Sequence, residues 1–204
     1  GKESRNNTKM YADNHLRTDG RQEESLKQIL SKASLRGQRL LIRNLKTEDY
    51  DAFAELFADE DVLYYYLPSR LQTYSGSTLA ELMSDWNDLD TAFVFTVLHE
   101  QKPIGIITCE SVDFEMEHAE VGIALLSSAE RGQGLAAEAM TIFIDFLFRD
   151  LELHRLNARI ISGNEDSCKL FKRLHFRHEG TQRDYVRRGS RYLDMNIFGL
   201  LARD

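Results

Sequence analysis

The sequence predicts an α/β (α+β) fold: a mixed, mostly antiparallel sheet with helices on both faces. Three observations predict it. From Gln38 onward, apolar residues switch repeatedly between alternating runs and helical spacing, whereas the stretch before it has little of either. Between residues 91 and 126 three strand-like runs follow one another without an intervening helix, the pattern of an antiparallel meander. A strand–helix–strand segment and a closing hairpin come next, which makes the sheet mixed and leaves helices to cover both faces.

Residues 1–24 have almost no apolar residues and no period, so they read as a flexible lead-in. Ser25–Leu35 reads as a short helix through Leu26, Ile29 and Leu30. Residues 1–37 are therefore expected to form a flexible or partly helical extension, and residues 38–204 a single domain. "RLLIRNL" (39–45) reads as a strand, after which Thr47 stands where a helix N-cap belongs, with Glu48 and Asp49 at the positive end. Tyr50, Phe53, Ala54 and Phe57 give a helix over 48–58, and a second helix is predicted over Thr78–Asp88, with Pro68 and Gly76 punctuating the link. "TAFVFTVLHE" (91–100) and "IGIITCESV" (104–112) form a hairpin, joined by "AEVGIALL" (119–126). Leu135, Ala139, Ile142, Phe143, Phe146 and Leu147 mark an amphipathic helix over 134–149. "RLNARIIS" (155–162) is a strand, Asn164 opens a helix that runs to about Leu174, and "GTQRDYV", "RRGS" and "RYLDMNIFGLL" make the last hairpin.

Composition narrows the function classes. At 204 residues, with 42% hydrophobic and 29% charged residues, the chain suits one packed core. No apolar run approaches the roughly 20 residues of a spanning helix, and the N-terminal layout is not that of a signal peptide, so a cytoplasmic protein without a membrane partner is expected. The net charge of −7 splits into +3 for residues 1–37 and −10 for the rest. An acidic domain argues against nucleic acid as a partner and is compatible with a cationic substrate. Cys109 and Cys168 lack ligand spacing, and the histidines are scattered over different elements, so no metal site is expected.

The densest motif is "SSAERGQGLAAEAM" (127–140), a glycine-bearing turn that runs directly into the amphipathic helix. A helix N-terminus leaves amides unpaired and carries partial positive charge, and glycines let the backbone approach an anion. The segment therefore reads either as a phosphate cradle or as a plain turn. Dinucleotide-binding geometry is disfavoured, because Ser127–Glu130 separate the turn from its strand and an antiparallel meander precedes it. The GK[ST] of a P-loop is absent.

"AEVGIALLSSAERGQGLAAEAM" followed by "NARIISGNEDSCKLFKRLHFRHEG" resembles the GCN5-related N-acetyltransferases (GNAT), whose loop signature Arg/Gln-x-x-Gly-x-Gly/Ala falls on Arg131, Gly134 and Ala136. The N-x-x-S of Asn164–Ser167, "FRHEG" at 176–180 and the Gly189–Asp194 spacing are similar to the RimJ/RimL-like branch. The resemblance implies acetyl-CoA as donor, its pyrophosphate held by the backbone of Arg131, Gly132, Gln133, Gly134, Leu135 and Ala136. It also implies a splayed strand pair in which Ala124, Leu125 and Leu126 pair with the pantetheine arm like an added strand. Asn164 is implied to reach the cofactor, with an ordinary N-cap as the other reading. Phe171 and Lys172 of the same helix are placed beside the cofactor, and Lys169, Lys172 or Arg173 would meet the CoA 3′-phosphate.

For chemistry, the branch resemblance points to Glu120 as the general base, with Glu110, Glu115 and Glu117 in reserve; a solvated strand-end charge is the other reading. Many members protonate the thiolate with a tyrosine seven residues after the Asn, where this chain has Phe171. Ser167 is the substitute the pattern suggests, with water or Tyr185 as alternatives and a backbone-satisfying hydroxyl as its other role. His175 stands where a glycine is usual, so a strained or reshaped helix end is expected. Residues 103–130 hold six carboxylates and no Lys or Arg, either an electrostatic guide for a cationic amine or a solvated sheet edge. Tyr64, Tyr65, Tyr66 and Trp86 fall in the acceptor wall of such enzymes or simply pack. The implied reaction is direct acetyl transfer in a ternary complex to a primary amine, a protein N-terminus or a small molecule, by a monomer or homodimer. A domain that binds acyl-CoA without catalysing transfer is the alternative.

Overall fold

The structure is a computed structural model that describes residues 20–66, 76–126 and 132–204. Arg131, Pro68 and the Ser127–Glu130 turn lie outside the described residues. Eight strands form one sheet in the order β1-β2-β3-β4-β5-β6-β8-β7: β1 Ser34–Arg36, β2 Leu40–Asn44, β3 Phe93–His99, β4 Lys102–Asp113, β5 His118–Leu125, β6 Arg155–Ile161, β7 Arg177–Arg188 and β8 Arg191–Leu201. Every neighbouring pair is antiparallel except β5 and β6, so the mixed sheet predicted from the chain order is present.

Helices cover both faces. On one face lie α1 (Gly20–Ser31), α5 (Leu135–Arg149) and α6 (Glu165–Arg173), whose Leu30, Phe143, Leu147 and Phe171 share a core with the inward side of the sheet. On the other lie α2 (Tyr50–Leu56), α3 (Glu60–Tyr66) and α4 (Gly76–Trp86), packed through Phe53, Val62 and Met83 on Val94, Ile106 and Ala124. The alternation of side chains along β5 divides them: Val121 and Ile123 point to the first core, Ala124 and Leu126 to the second.

Several elements differ from the sequence reading. Helix α1 begins at Gly20 rather than Ser25, and Ser34–Arg36 is a strand paired with β2, so residues 20–37 share the sheet and core. Helix α3 was hidden because the apolar residues of "DEDVLYYY" form one unbroken run, Val62 to Tyr66, that shows no helical period; an aspartate at its entrance, Asp59, accepts from the amides of Asp61 and Val62. Thr47 is not an N-cap; it lies inside a 3-10 turn (Thr47–Asp49). The carboxylate of Asp49 does the satisfying instead, accepting from the Lys46 amide at 2.9 Å, from Arg43 Nη1 and Nη2 at 2.7 and 2.9 Å, and from the Thr96 hydroxyl at 2.6 Å. Burial pushes this carboxyl up, but Arg43 and the other donors outweigh it and hold it below the usual range. The cluster fixes the start of α2 to β2 and β3.

The feature that positions the site is where β5 and β6 part. They pair in parallel at His118–Arg155, Ala119–Leu156 and Glu120–Asn157 and nowhere beyond. Strand β5 runs on to Leu125 beside β4, while β6 runs on to Ile161 beside β8, which opens a wedge between them.

Candidate active site

The wedge leads into a groove of about 780 Å³, within the range of small-molecule sites. One wall is the exposed margin of β5 at Ile123 and Leu125; the floor is Gly132, Gly134, Leu135 and Ala136 at the start of α5. The opposite wall is the start of α6, with Asn164, Ser167, Lys169 and Arg173, and α3 closes it with Asp61, Tyr65 and Tyr66.

The β5 wall offers main-chain groups. The Leu126 amide donates to the Ile104 carbonyl at 2.8 Å. Antiparallel pairing alternates, so Ala124, two residues away, also turns its main chain to β4, while Ile123 and Leu125 turn theirs into the wedge. Of the three residues expected here, Leu125 faces the groove; Ala124 and Leu126 lie in the second core and are joined to β4. Ile123, which sequence reasoning passed over, takes part instead.

At the floor, Gly132 and Gly134 have φ of +84° and +75°, a backbone region that side chains resist. Gly134 is the N-cap of α5, so no side chain caps the first-turn amides there. Beside them, Arg39 donates to the Gln133 carbonyl at 3.1 Å and lies 3.4 Å from Glu138, tying the turn to the sheet. Gln133 itself is not part of the groove lining, and Leu135 anchors the helix in the first core.

Helix α6 begins differently. Asn164 is its N-cap, and its side-chain oxygen accepts from the Ser167 amide at 3.4 Å. Ser167 is buried, and its hydroxyl lies 2.8 Å from the Tyr66 hydroxyl. Phe171 does not reach the groove: it is 2% exposed, in the first core. The end of α6 explains why. The His175 amide donates to Lys172 and the Phe176 amide to Phe171, both at 3.0 Å, with His175 at φ +71°. This is a Schellman motif, and its hydrophobic contact is the edge-on packing of Phe171 on Phe176, ring centres 5.0 Å apart. His175 thus adopts the left-handed conformation that glycine usually supplies, and the helix end is not reshaped. Lys172 is exposed outside the lining; Lys169 and Arg173 are the cations at the groove.

Glu120 sits at the last position where β5 pairs with β6, the apex of the wedge, and is not itself in the groove lining. It is directly across from Glu110 of β4, which accepts from the Trp86 indole. Burial, then the Glu110 charge, push the Glu120 carboxyl up; Arg159, 3.8 Å away, works against them. Arg159 in turn lies over the Tyr185 ring at 4.8 Å and donates to Gln182. The reserve residues Glu115 and Glu117 belong to the β4–β5 turn, exposed and outside the groove lining. Tyr66, read from the sequence as acceptor wall or packing, lines the groove, but its contact with Ser167 and the part played by Arg39 escaped that reading because each joins elements far apart in the chain.

A glycine-started helix facing an opened strand pair, with a capped helix across the groove, defines an acyl-CoA-dependent acyltransferase. The family described as Acetyltransferase (GNAT) domain matches residues 39–177, and the chain belongs to it: it is an N-acetyltransferase. The uncharacterized N-acetyltransferase p20 of Bacillus licheniformis is 30% identical over 170 residues, covering 82% of this chain and 95% of that protein. The [ribosomal protein uS5]-alanine N-acetyltransferase of Escherichia coli is 26% identical over 180 residues, 85% of this chain and 93% of its own. RimL, a ribosomal L7/L12 alpha-N-protein acetyltransferase solved in complex with coenzyme A, superimposes with a TM-score of 0.75 at 15% identity, over 83% of this chain and 98% of that one. That likeness shows the fold.

Proposed function

We propose that the protein transfers the acetyl group of acetyl-CoA directly to the primary amine of a cationic acceptor, with a protein N-terminus as the favoured class. The observation that carries the reading is the single groove in which the uncapped start of α5, the open margin of β5 and the start of α6 meet. The α5 amides suit the pyrophosphate, Lys169 and Arg173 suit a further phosphate, and Ile123 and Leu125 suit an extended amide-bearing arm. Arg131 belongs to the same proposal through the family signature. Asn164 reaches the groove as well as capping its helix.

At the apex, Glu120 accepts a proton from the attacking amine. A carboxylate with a raised pKa is a better base toward an ammonium than an ordinary one, and Glu110 beside it favours a positively charged acceptor. A protein acceptor is supported by one relative whose name specifies an alanine of ribosomal protein uS5. Among the described residues no helix is long and apolar enough to cross a membrane.

The test combines calorimetry with thiol release. Binding of CoA together with acetyl-CoA-dependent thiol release on peptides with free N-termini, exceeding that on polyamines and aminoglycosides, is the expected result. Absence of CoA binding overturns the groove assignment, and turnover confined to small polyamines overturns the protein-acceptor class.

A further inference from the structure

We infer that Tyr66 supplies, through Ser167, the proton taken by the departing thiolate. The inference rests on reading the groove as the acetyl-CoA site. The family position for a tyrosine acid is Phe171, and the Schellman contact with Phe176 commits that side chain to the core. A hydroxyl nonetheless enters the groove, delivered from the opposite wall: Tyr66 Oη lies 2.8 Å from Ser167 Oγ, and both residues line the cavity.

The end of α3 is held at three successive residues, by β7 at Tyr64 and by the start of α6 at Tyr65 and Tyr66. Arg188 Nε donates to the Tyr64 carbonyl at 2.9 Å, satisfying a helix C-terminal acceptor. The Tyr65 hydroxyl lies beside Gly163, where an added Cβ would come within 3.2 Å of it. Tyr66 then meets Ser167, whose amide is fixed by Asn164. Contacts on three consecutive residues hold the phenol in place without a cost of ordering it during reaction.

The division of labour follows from the two hydroxyls. A serine alcohol does not ionise in the accessible pH range, whereas a phenol ionises near pH 10, so of the pair the phenol is the proton source and the alcohol the conduit. In the step, the amine nitrogen bonds to the thioester carbonyl carbon and the C–S bond breaks. The sulfur takes the Ser167 hydroxyl proton as Ser167 takes that of Tyr66, and the amine gives its surplus proton to Glu120. The tyrosinate regains a proton from solvent and Glu120 gives its proton up to solvent, which closes the cycle. Tyr66 acts through Ser167 and is therefore a positioning and proton-supplying residue; Ser167 is the one that meets sulfur.

The experiment compares Tyr66→Phe, Ser167→Ala and the double variant in the full chain. The expected result is a fall in kcat of about 10²-fold in each single variant, no further fall in the double, and unchanged CoA affinity by calorimetry and unchanged Tm. A readout independent of turnover is the ultraviolet absorbance of the thiolate in bound CoA: hydroxyls that donate to sulfur stabilise its anion, so the thiolate should appear at lower pH in the parent than in Tyr66→Phe or Ser167→Ala. Wild-type kcat in Tyr66→Phe, additive losses in the double variant, or a thiolate titration that is the same in parent and variant each overturn the inference. A parent that neither binds CoA nor releases thiol overturns the groove reading itself, which is a distinguishable failure.

Discussion

The two helices that meet at the groove begin in opposite ways. Helix α5 starts at a left-handed glycine that has no side chain to offer its first-turn amides; α6 starts at Asn164, whose oxygen is already given to the Ser167 amide. A helix start that serves only the fold is usually capped from within, because orphan amides cost free energy when water is excluded. On the proposed reading, leaving α5 uncapped at the mouth of a cavity reserves those amides for an anion from outside. Capping α6 instead fixes Ser167, which the proposed chemistry needs at one place. The contrast separates a binding terminus from a positioning terminus, and substitutions at each should separate in the same way.

The largest effect is expected at the uncapped end. Gly134→Val places a β-branched residue at φ +75° and puts its methyl groups over the amides. Loss of two charge-assisted hydrogen bonds corresponds to roughly 3–6 kcal/mol, so calorimetry should show CoA affinity falling by about 10²–10⁴-fold. Affinity within threefold of the parent would mean that the α5 amides are not the phosphate site and that the contrast between the two helix starts has no functional content.

Glu120→Gln tests chemistry apart from both helix starts. It is expected to lower kcat by about 10²-fold while CoA affinity stays put. The sign of the pH dependence follows from burial and Glu110, which raise the carboxyl's folded-state pKa. As a base it must be ionised, so the acidic fall of kcat should lie above the ordinary carboxylate range, and Gln should remove that limb. For stability, a raised pKa means that the folded chain holds more protons than the unfolded one between the two values. That contribution is complete below the unfolded value and is lost as pH rises through the folded one. Thermal scans should therefore find Glu120→Gln more stable than the parent near neutral pH, with the difference vanishing in acid. Equal melting at all pH values would show the carboxylate to be solvated.

The meander, the crossover helix, the closing hairpin and the family were legible in the chain because each is written in local periodicity or in a contiguous motif. The glycine-bearing turn into α5 was legible for the same reason, while the order in which β8 and β7 follow β6, and the left-handed φ of Gly132 and Gly134, came only with the structure. What was illegible depends on contacts between distant segments. The Tyr66–Ser167 contact spans 101 residues, and the Arg39–Gln133 contact spans 94. The fate of Phe171 was readable only once Phe176 and the left-handed His175 were placed, because a Schellman contact needs the chain reversal to exist. On β5, the motif located Ala124, Leu125 and Leu126 together, and only the register with β4 distinguished the one residue of the three that turns to the groove.

The smallest effect is expected at the capped end, where it also resolves two roles that one residue can hold. Asn164→Ala removes the acceptor for the Ser167 amide and should cost about 1 kcal/mol in stability, measured by denaturant titration. Asn164→Asp keeps an acceptor oxygen and, beside the positive end of α6, should restore that stability. Asp lacks the amide N–H donors of Asn, however, so the two variants diverge if Asn164 also serves the groove. The expected outcome is that both weaken CoA by about fivefold, the equivalent of one ordinary hydrogen bond, although only Ala is destabilised. Parental CoA affinity in Asn164→Asp would make the residue a cap alone, and α6 would then be a positioning terminus in full.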